Sequence, residues 1–571
     1  MKRRKWMVIA CLFLLSILAF TGCNRSGGET VDGRPFYQIE VFNTYSNFMG
    51  INAGWWGHIL RETLNMELNL ISPQVAGTGD TLYQTRTAAG NLGDLIVVSK
   101  GRMLDLQQAG LLYNARPLLA NAPNVREKLA VAYERFAEEF PGDGIYAFPG
   151  RVSVLPPTTP AGRTWDPEHA HFLRYDWYIN IGLPEIRNAD HLIDVVERMV
   201  QAHPVNENGD RTFGFSFFPD WDGGSVRAAR EMLMIHEGFT GVTDLIFSNW
   251  DGSQTIDIFD NNSLYFQWLQ RWNRAYRRGL VDVDSATQNW DMSRAKFIDG
   301  RVAYGFWQFQ ADSIFTRLDL TRRSPYAVVP VQGQQLINPG FNPYGLEGNA
   351  WAIGSRARFP DRIMEFMDWV SSDEGILIWN SQIEGLTYTM VNGVPVQTEY
   401  GIDNSADKQA PANLGGGLWS EGIQRINFPL THSQDPNPLL NGFPTSSSFW
   451  PGTVDLARQE WNTQWRAHYN AEHPLELLEA MGILQVRPGT DYTAPVEPSE
   501  ISTARAQIRN LVVPAGWRMI YAATDAEFMN EWNQMRAQLN DFGYQEVLNY
   551  DRPRVVEMNR GVQDILRQFG R

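Results

Sequence analysis

Tryptophan and tyrosine are the side chains through which this chain is best equipped to recognise a ligand. The sequence holds 20 tryptophans and 20 tyrosines among 571 residues, more than hydrophobic cores usually require. Both side chains combine a flat apolar face with a polar edge, and both are favoured in clefts that bind ligands. We expect a few of these rings to contact a ligand and the others to pack in cores.

A carbohydrate is the ligand that such a mixture of side chains suits best. A pyranose ring presents weakly positive C–H groups on its face and hydroxyl groups around its rim. Aromatic rings stack on the face, while carboxylates, amides and arginines bond the hydroxyls. The aromatic bias therefore favours a sugar, although a peptide-binding receptor of similar length remains an alternative.

The residues capable of covalent chemistry form no familiar catalytic motif. The sequence has no nucleophile elbow, no phosphate-binding Walker loop and no HExxH pair of zinc ligands. His236 and Glu237 begin the last of these patterns, but its second histidine is missing. A secreted carbohydrate-active hydrolase needs only two carboxylates at a suitable separation, so the 64 acidic residues leave that alternative open. We expect a binding protein that is not an enzyme and needs no cofactor.

The first 33 residues have the pattern of an export signal followed by a tether. Residues 2–5 are basic, and residues 6–20 form an apolar run shorter than a membrane-spanning helix needs. Cys23 follows Phe20-Thr21-Gly22, which is similar to a bacterial lipobox despite its phenylalanine. The sequence predicts a signal peptide over residues 1–22 and a polar tether over residues 23–33, with lipid attached to Cys23. An ordinary signal peptide that happens to contain a cysteine is the alternative.

The cysteine count and the net charge narrow the class of protein further. Cys11 and Cys23 are the two cysteines, and Cys11 lies within the predicted signal. Processing would leave one thiol, so neither an internal disulfide nor a cysteine-based zinc site is expected. The net charge of −15 disfavours nucleic acid and anionic lipid headgroups as partners. No later apolar run reaches membrane-spanning length, and the length of the chain indicates at least two lobes.

Strands and helices alternate through the first 112 residues. Strands are predicted at residues 37–42, 66–71 and 94–98, and helices at residues 55–64, 82–89 and 103–112. Such alternation predicts an α/β fold with parallel strands, whose carboxyl-end loops line a binding crevice.

Longer helices are predicted further along the chain. Asp190 is expected to cap a helix over residues 192–202, Ser263 to open one that ends near Gly279, and residues 361–370 to form a third. Breaks are expected at residues 403–417 and 487–500, where regular patterning is lost.

Several segments, in order, resemble the large extracellular solute-binding lipoproteins of bacterial ABC importers, a carbohydrate-type family distantly related to maltose-binding protein. They include GDLIV with its following AGLL, YAFP, FIDGRVA, NAWAI, EGLTY and NGVPV, at residues 93–97, 109–112, 146–149, 297–303, 349–353, 384–388 and 392–396. The resemblance spans roughly residues 36–550. It implies a two-lobed periplasmic-binding-protein fold of α/β class, with hinge crossings and lobes that are discontinuous in sequence.

The resemblance also implies boundaries, partners and a location. Lobe 1 is expected to comprise residues 34–150 and 348–420, and lobe 2 residues 151–347 and 421–571. The implied protein is a monomer outside the cytoplasm, joined to the membrane through its N-terminal lipid alone. It would capture an oligosaccharide and deliver it to a membrane-embedded ABC permease.

The family's ligand-contacting loops indicate which residues of this chain would hold the sugar. Trp307 follows the FIDGRVA segment and is the favoured stacking residue, with Trp450 next because residues 449–450 are similar to an aromatic pair of the second lobe. One ring of the neighbours Trp55 and Trp56 is expected to face the cleft and the other the core. The remaining candidates are Tyr45, Asn43, Ser46, Ser99, Arg151, Trp221 and Phe309.

A calcium loop that many relatives carry is degenerate in this chain. The matching stretch is residues 204–210, in which Gly209 suits the sharp turn. Pro204 stands where the first carboxylate belongs, and Phe215 stands where a late glutamate belongs. Because calcium affinity depends on those charges, no metal is expected here.

Overall fold

The computed structural model describes residues 33–73, 75–76, 80–162, 166–311, 326–346, 348–406, 411–451 and 460–570. The predicted signal peptide, Cys23 and nearly all of the predicted tether lie outside these residues. Within the part of the chain that is described, no helix is long and apolar enough to cross a membrane.

Strands and helices alternate over most of the chain. The strands are β1 (Tyr37–Asn43), β2 (Gly50–Ile51), β3 (Met66–Ile71), β4 (Leu95–Val98), β5 (Phe148–Pro149), β6 (His169–Arg174), β7 (Phe239–Gly241), β8 (Ile246–Asn249), β9 (Thr255–Asp257), β10 (Tyr304–Trp307), β11 (Tyr326–Val328), β12 (Leu336–Pro339), β13 (Ala350–Ile353), β14 (Tyr388–Val391), β15 (Val394–Gln397) and β16 (Leu484–Arg487).

The α-helices are α1 (Gly54–Leu64), α2 (Asp80–Ala88), α3 (Lys100–Gln108), α4 (Pro123–Ala137), α5 (Tyr175–Asn180), α6 (Ala189–Ala202), α7 (Arg227–Ile235), α8 (Leu264–Arg277), α9 (Trp290–Ile298), α10 (Gln308–Ala311), α11 (Pro360–Ser371), α12 (Asp373–Trp379), α13 (Glu399–Ala406), α14 (Glu460–Tyr469), α15 (Pro474–Ala480), α16 (Ser499–Ile520), α17 (Asp525–Leu539) and α18 (Tyr544–Gln568). The strands and helices predicted from the sequence are all present, with ends shifted by a few residues.

The first lobe is built on a six-stranded sheet with the order β2-β3-β1-β4-β13-β5. Strands β3, β1 and β4 are parallel, and β13 enters antiparallel between β4 and β5. Alternate residues of β4 pack on opposite faces: Leu95 and Val97 join one core, and Ile96 and Val98 join the other. The unbroken apolar run of β4 therefore reflects a strand covered on both faces.

The second lobe surrounds a three-stranded sheet with the order β10-β6-β11 and a large helical core. Helix α8 supplies much of that core through Tyr265, Trp268 and Trp272, as its four-residue spacing predicts. Ser263 caps this helix by accepting from Phe266 N. The cap of α6 differs from the prediction: Asn188, rather than Asp190, accepts from the backbone N of His191. Asp190 lies in the first helical turn, where its charge suits the helix dipole.

Three chain segments meet where the two lobes join. Arg151 N donates to Pro429 O at 2.8 Å, Val152 N to Leu430 O at 2.9 Å, and Ser153 N to Asn342 O at 3.2 Å. Arg151 has a φ of 55°, a left-handed conformation that costs energy in a residue other than glycine. The chain crosses between the lobes here, so each lobe is discontinuous in sequence.

The chain beyond residue 420, where the sequence predicts that lobe 1 ends, still packs in the first lobe. Ile426 and Leu430, which the predicted boundaries assign to lobe 2, pack in the core of lobe 1. Trp450 packs with Leu377 and Tyr388, which also belong to the first-lobe side. From Trp465 onward, most of the buried apolar residues of the chain pack again in the core of the second lobe. The reason is long-range packing that residue spacing does not reveal.

Candidate functional site

Four aromatic rings form a connected cluster at one edge of the second lobe. Strand β10 ends at Trp307. Phe213 forms a parallel β-bridge with Val302, just before β10, and the chain that follows Phe213 carries Phe218 and Trp221. Trp290 begins helix α9 and completes the cluster. We call these four residues, Phe218, Trp221, Trp290 and Trp307, the aromatic platform.

The rings of the aromatic platform contact one another closely. Trp221 lies 5.2 Å from Trp290 with the ring planes 30° apart, and 5.4 Å from Trp307. Phe218 contacts all three tryptophans at centroid distances of 4.9–5.7 Å. These distances are those of offset and edge-to-face aromatic pairs. The four rings thus form one continuous set of aromatic contacts.

The rings differ in how much surface they present. Trp221 is 38% exposed, whereas Trp307 is 2% exposed and lies beneath it. Trp290 is partly exposed and Phe218 is buried. Trp221 therefore offers the face on which a ligand ring can stack. Trp307 is the stacking residue that the sequence favours, but in this structure it is buried and packs against Trp221.

A charged group lies directly behind the platform. The Arg227 guanidinium is 5.4 Å from the Trp307 ring centre, and its Nε is 2.5 Å from Glu231 Oε1. His169 Nδ1, at the start of β6, is 3.0 Å from Glu231 Oε2. Burial alone would raise the pKa of Glu231, but His169 and the two arginines Arg227 and Arg230 lower it to about 2. Glu231 is therefore a buried anion held by three cationic or polar partners.

Asp220 and Asp222 hold the platform loop in place. Asp220 Oδ2 accepts from the backbone N of Trp290 at 2.8 Å, which ties the loop to helix α9. Asp222 accepts from Arg227 N at 2.8 Å and from the indole N–H of Trp517 at 2.6 Å. Burial raises the pKa of Asp222 to about 6. The two carboxylates thus act on the loop that carries Trp221.

The first lobe presents the loop after β1 and its neighbours at the carboxyl edge of its sheet. Tyr45 is partly exposed and lies edge-on to Phe428 at 5.7 Å. Asn43 and Ser46 are buried: Asn43 Nδ2 donates to Ile426 O at 2.8 Å, and the Ser46 hydroxyl donates to Arg425 O at 2.8 Å. Both residues hold the segment after residue 420 against the sheet, which positions Phe428 beside Tyr45.

Two other sequence-predicted residues lie at the same edge. Ser99 caps helix α3 by accepting from Arg102 N at 3.4 Å. Arg151 follows β5, and its Nη2 is 3.1 Å from His432 Nε2. Burial and the Arg151 charge lower the pKa of His432 to about 3, so the imidazole is neutral and can accept from the guanidinium. Arg151 thus joins the hinge segments.

Two of the predicted aromatic contacts lie in cores. Trp55 stacks on Trp419 at 4.6 Å and donates its indole N–H to Trp419 O, so that both Trp55 and Trp56 are fully buried. Trp450 is also fully buried, against Tyr388, with its N–H bonded to Pro444 O. None of these three rings presents a face to a ligand in this structure. The side chain of Phe309 lies outside the described residues.

The loop at residues 204–210 is closed by a side-chain amide. Asn206 Oδ1 accepts from Asn208 N at 3.0 Å and from Asp210 N at 2.8 Å, while its Nδ2 donates to Asp299 O. Gly209 has a φ of 84°, as the sharp turn requires. Within the described part of the chain, no group of three or more histidine, cysteine or acidic side chains is placed to hold a metal ion.

A pair of buried histidines lies in the core behind the platform. His171 Nε2 is 3.2 Å from His236 Nδ1, and His171 Nδ1 is 2.9 Å from the Tyr304 hydroxyl. Burial lowers the pKa of His171 well below its usual value, and burial with the Arg271 charge lowers that of His236 to about 4. The neighbouring residue, Glu237, accepts a hydrogen bond from the indole N–H of Trp268 through its carboxylate.

The histidine pair predicts a loss of stability in acid. A folded-state pKa below the unfolded value of about 6.5 means that the unfolded chain binds more protons as the pH falls. We expect His236 alone to remove about 2 kcal/mol of unfolding free energy between pH 7 and pH 5. Urea titrations at both pH values should show a smaller pH-dependent loss in His236→Gln than in the wild type. His58→Gln, at an exposed site, should match the wild type, and an unchanged loss in His236→Gln would contradict the prediction.

Sequence reasoning found part of the platform and missed the rest. Trp221 and Trp307 were both predicted, whereas Trp290, Phe218 and Arg227 were not. Trp290 follows Asn289, whose side chain caps helix α9. Such a cap residue is a signal that could have indicated a helix start at Trp290, although it does not show what the ring contacts. Phe218 and Arg227 carry no such signal.

Comparisons with known proteins place the fold in a well-populated structural group. No family model and no curated protein sequence matches the chain. Among solved structures, an alginate-binding protein determined without calcium ion is 16% identical, with a TM-score of 0.56 over 92% of this chain and 98% of that chain.

Two further neighbours have the same overall architecture. An S. pneumoniae ABC-transporter substrate-binding protein, an EF-hand mutant in complex with fructo-nystose, is 15% identical with a TM-score of 0.59 over 91% of this chain and 99% of its own. An extracellular solute-binding protein from Bifidobacterium longum subsp. infantis is 14% identical with a TM-score of 0.59 over 94% and 99%. At such identities the likeness shows that this chain shares the two-lobed α/β fold of these proteins.

Proposed function

We propose that this protein is the substrate-binding component of an ABC-type importer and captures an oligosaccharide between its two lobes. The observation that carries the proposal is the aromatic platform, with the half-exposed Trp221 held on buried Trp307 at the strand ends of the second lobe. A preformed flat apolar surface suits the C–H face of a pyranose.

Several rings in contact favour an oligosaccharide over a single sugar. Trp221 and Trp290 are both accessible and lie 5.2 Å apart, so their combined surface extends beyond one ring. On the first lobe, Tyr45 and Phe428 offer a second aromatic edge. In this proposal a chain of sugar units contacts both lobes, and only such double contacts favour closure of the lobes.

The structural neighbours support the carbohydrate class. Among them are an alginate-binding protein and an ABC-transporter substrate-binding protein in complex with fructo-nystose. Those neighbours are binding proteins, which argues against catalysis in a chain of the same fold. A neutral sugar fits this chain best because of its net charge of −15, and binding is then expected to depend weakly on salt.

A paired screen tests the proposal. The mature protein is applied to a glycan array and, in a calorimeter, to a pool of short peptides. The proposal predicts retention of a limited set of neutral oligosaccharides and no heat with peptides. Binding to peptides without glycans would favour a peptide receptor, and release of hydrolysis products from a bound glycan would favour a hydrolase.

We also propose that the protein lies outside the cytoplasm, attached through lipid on Cys23, and delivers its ligand as a monomer to a membrane-embedded permease. The apolar run at residues 6–20 and the cysteine that follows it support this. We expect Cys23→Ala to abolish fatty-acid labelling and to release the protein from the membrane fraction or leave it uncleaved. Cys11→Ala, within the predicted signal, is the matched control and should be processed and labelled normally. A Cys23→Ala protein that is cleaved normally and still sediments with membranes would contradict the anchor.

A further inference from the structure

A cavity of about 580 Å³ lies on the second lobe between the β8–β9 hairpin and the last helix, α18. None of the platform residues lines it. Its walls combine apolar side chains, among them Ile246, Leu548 and Val555, with the polar ends of Asn559 and two arginines. The volume is in the range of small-molecule sites.

Behind this cavity lies a guanidinium whose hydrogen bonds, within the described residues, all go to neutral acceptors. Arg487 ends strand β16, and its guanidinium donates to Asn249 O at 2.6 Å and to Asn559 Oδ1 at 2.8 Å. Among the described residues it forms no ion pair; all of its acceptors are neutral. Burial lowers its pKa to about 10, with Asp251 acting in the opposite direction. A partly buried charge whose hydrogen-bond acceptors are all neutral would be stabilised further by a nearby anion.

Asn559 connects Arg487 to the cavity, because its side-chain amide both accepts from the guanidinium and lines the cavity. The residue is 5% exposed, and its carbonyl oxygen is occupied by Arg487. Asn559 lines the cavity, and its amide nitrogen, which is not the atom bonded to Arg487, donates to no acceptor among the described residues. A hydrogen bond accepted from a cation polarises the amide and strengthens its N–H groups as donors.

Two more guanidinium groups line the same cavity. Arg552 and Arg560 lie two helical turns apart on α18, and both are exposed. Arg560 forms no ion pair or hydrogen bond with the described residues. Arg552 has a long contact to Asn549, and its charge opposes the rise that burial causes in the pKa of Asp257. The carboxylate in the lining, Asp257, already accepts from the Tyr544 hydroxyl and from Phe259 N at 2.9 Å. The cavity therefore has donors in excess of acceptors, in a chain whose net charge is negative.

We propose that this cavity is a second ligand site, distinct from the aromatic platform, that binds a carboxylate carrying a short apolar chain. The carboxylate would accept from the Asn559 amide and the Arg560 guanidinium, and the apolar chain would lie against Leu548 and Val555. A bidentate arginine–carboxylate contact is both strong and directional. The inference does not rest on the function proposed for the platform.

Calorimetric titration of the whole mature protein at low salt tests this inference. Hexanoate is the probe, and hexan-1-ol is the neutral analogue of the same chain length. We expect one site for hexanoate, with at least tenfold weaker binding of hexan-1-ol, because the charge-assisted hydrogen bonds are lost.

Matched arginine variants locate the site. Arg560→Gln should weaken hexanoate binding roughly tenfold or more, whereas Arg567→Gln, on the same helix but paired with Asp564, should leave it unchanged. Both side chains are exposed, so neither change is expected to unfold the protein. Absent hexanoate binding, equal binding of hexanoate and hexan-1-ol, or equal effects of the two variants would overturn the inference. Inorganic phosphate binding at this site as tightly as hexanoate would also overturn it, because the apolar wall would then contribute nothing.

Discussion

Trp221→Ala is expected to lower affinity for the captured oligosaccharide roughly 30- to 1000-fold, with a small change in the melting temperature of the ligand-free protein. In the proposed function the exposed indole would supply the stacking face, and truncating an aromatic residue at the centre of a binding surface costs about 2–4 kcal/mol. Because Trp221 is 38% exposed, its loss opens a surface groove rather than a core cavity. Calorimetric titration and thermal unfolding of the same preparation measure the two effects.

Trp307→Ala shows whether a ring acts by packing against Trp221 or by contacting the ligand itself. Trp307 is almost wholly buried, packing on Phe218, Trp221 and Phe306. Its removal leaves a cavity under Trp221, so we expect both lower stability and weaker binding. Trp221→Phe, which keeps a ring, should retain more affinity than Trp221→Ala. If Trp221→Ala binds the oligosaccharide as well as the wild type, the aromatic platform is not the binding surface.

Trp272→Ala is expected to destabilise the second lobe by about 3–5 kcal/mol. The indole is fully buried, contacts Phe215, Phe217 and Trp268, and donates its N–H to Ala228 O at 3.0 Å. Truncation removes these contacts and leaves the Ala228 carbonyl without its partner, which adds to the cost of the cavity. Urea-induced unfolding monitored by far-ultraviolet circular dichroism measures the change.

Two further variants show how much of the loss comes from the hydrogen bond and whether it is confined to the second lobe. Trp272→Phe fills most of the space but cannot donate the hydrogen bond, so its cost should be clearly smaller. Trp351→Ala removes a fully buried ring from the first-lobe core and should shift the unfolding of that lobe instead. A Trp272→Ala protein as stable as the wild type would show that α8 does not organise the second core.

The local pattern of the sequence predicted three strands and six helices, and periodic burial explains several of them. Strand β3 alternates buried and half-buried residues, and along the buried face of helix α8 the rings of Tyr265, Trp268 and Trp272 recur at intervals of three and four residues. The sequence predicted parallel strands in the first lobe, but it predicted neither the six-stranded order nor the antiparallel entry of β13. Pairing between β4 and β13 joins residues more than 250 positions apart, which no local pattern encodes.

The candidate site was harder to predict for the same reason. Asn43 and Ser46 lie in the expected loop, yet their side chains bond backbone atoms at Ile426 and Arg425, more than 370 residues later. A polar residue after a strand has the same sequence signature whether it contacts a ligand or another loop. Likewise, the neighbours Trp55 and Trp56 are both buried because Trp419, far along the chain, covers the first of them.

A crystal structure of the protein with the oligosaccharide selected by the glycan screen tests the central claim most directly. We predict a sugar ring stacked on Trp221, within about 4 Å of its indole, with the next unit extending toward Trp290 and contacts from the Tyr45 loop. The same structure would show whether the two lobes close on the ligand. A sugar bound elsewhere on the molecule, with the aromatic platform unoccupied, would contradict the account.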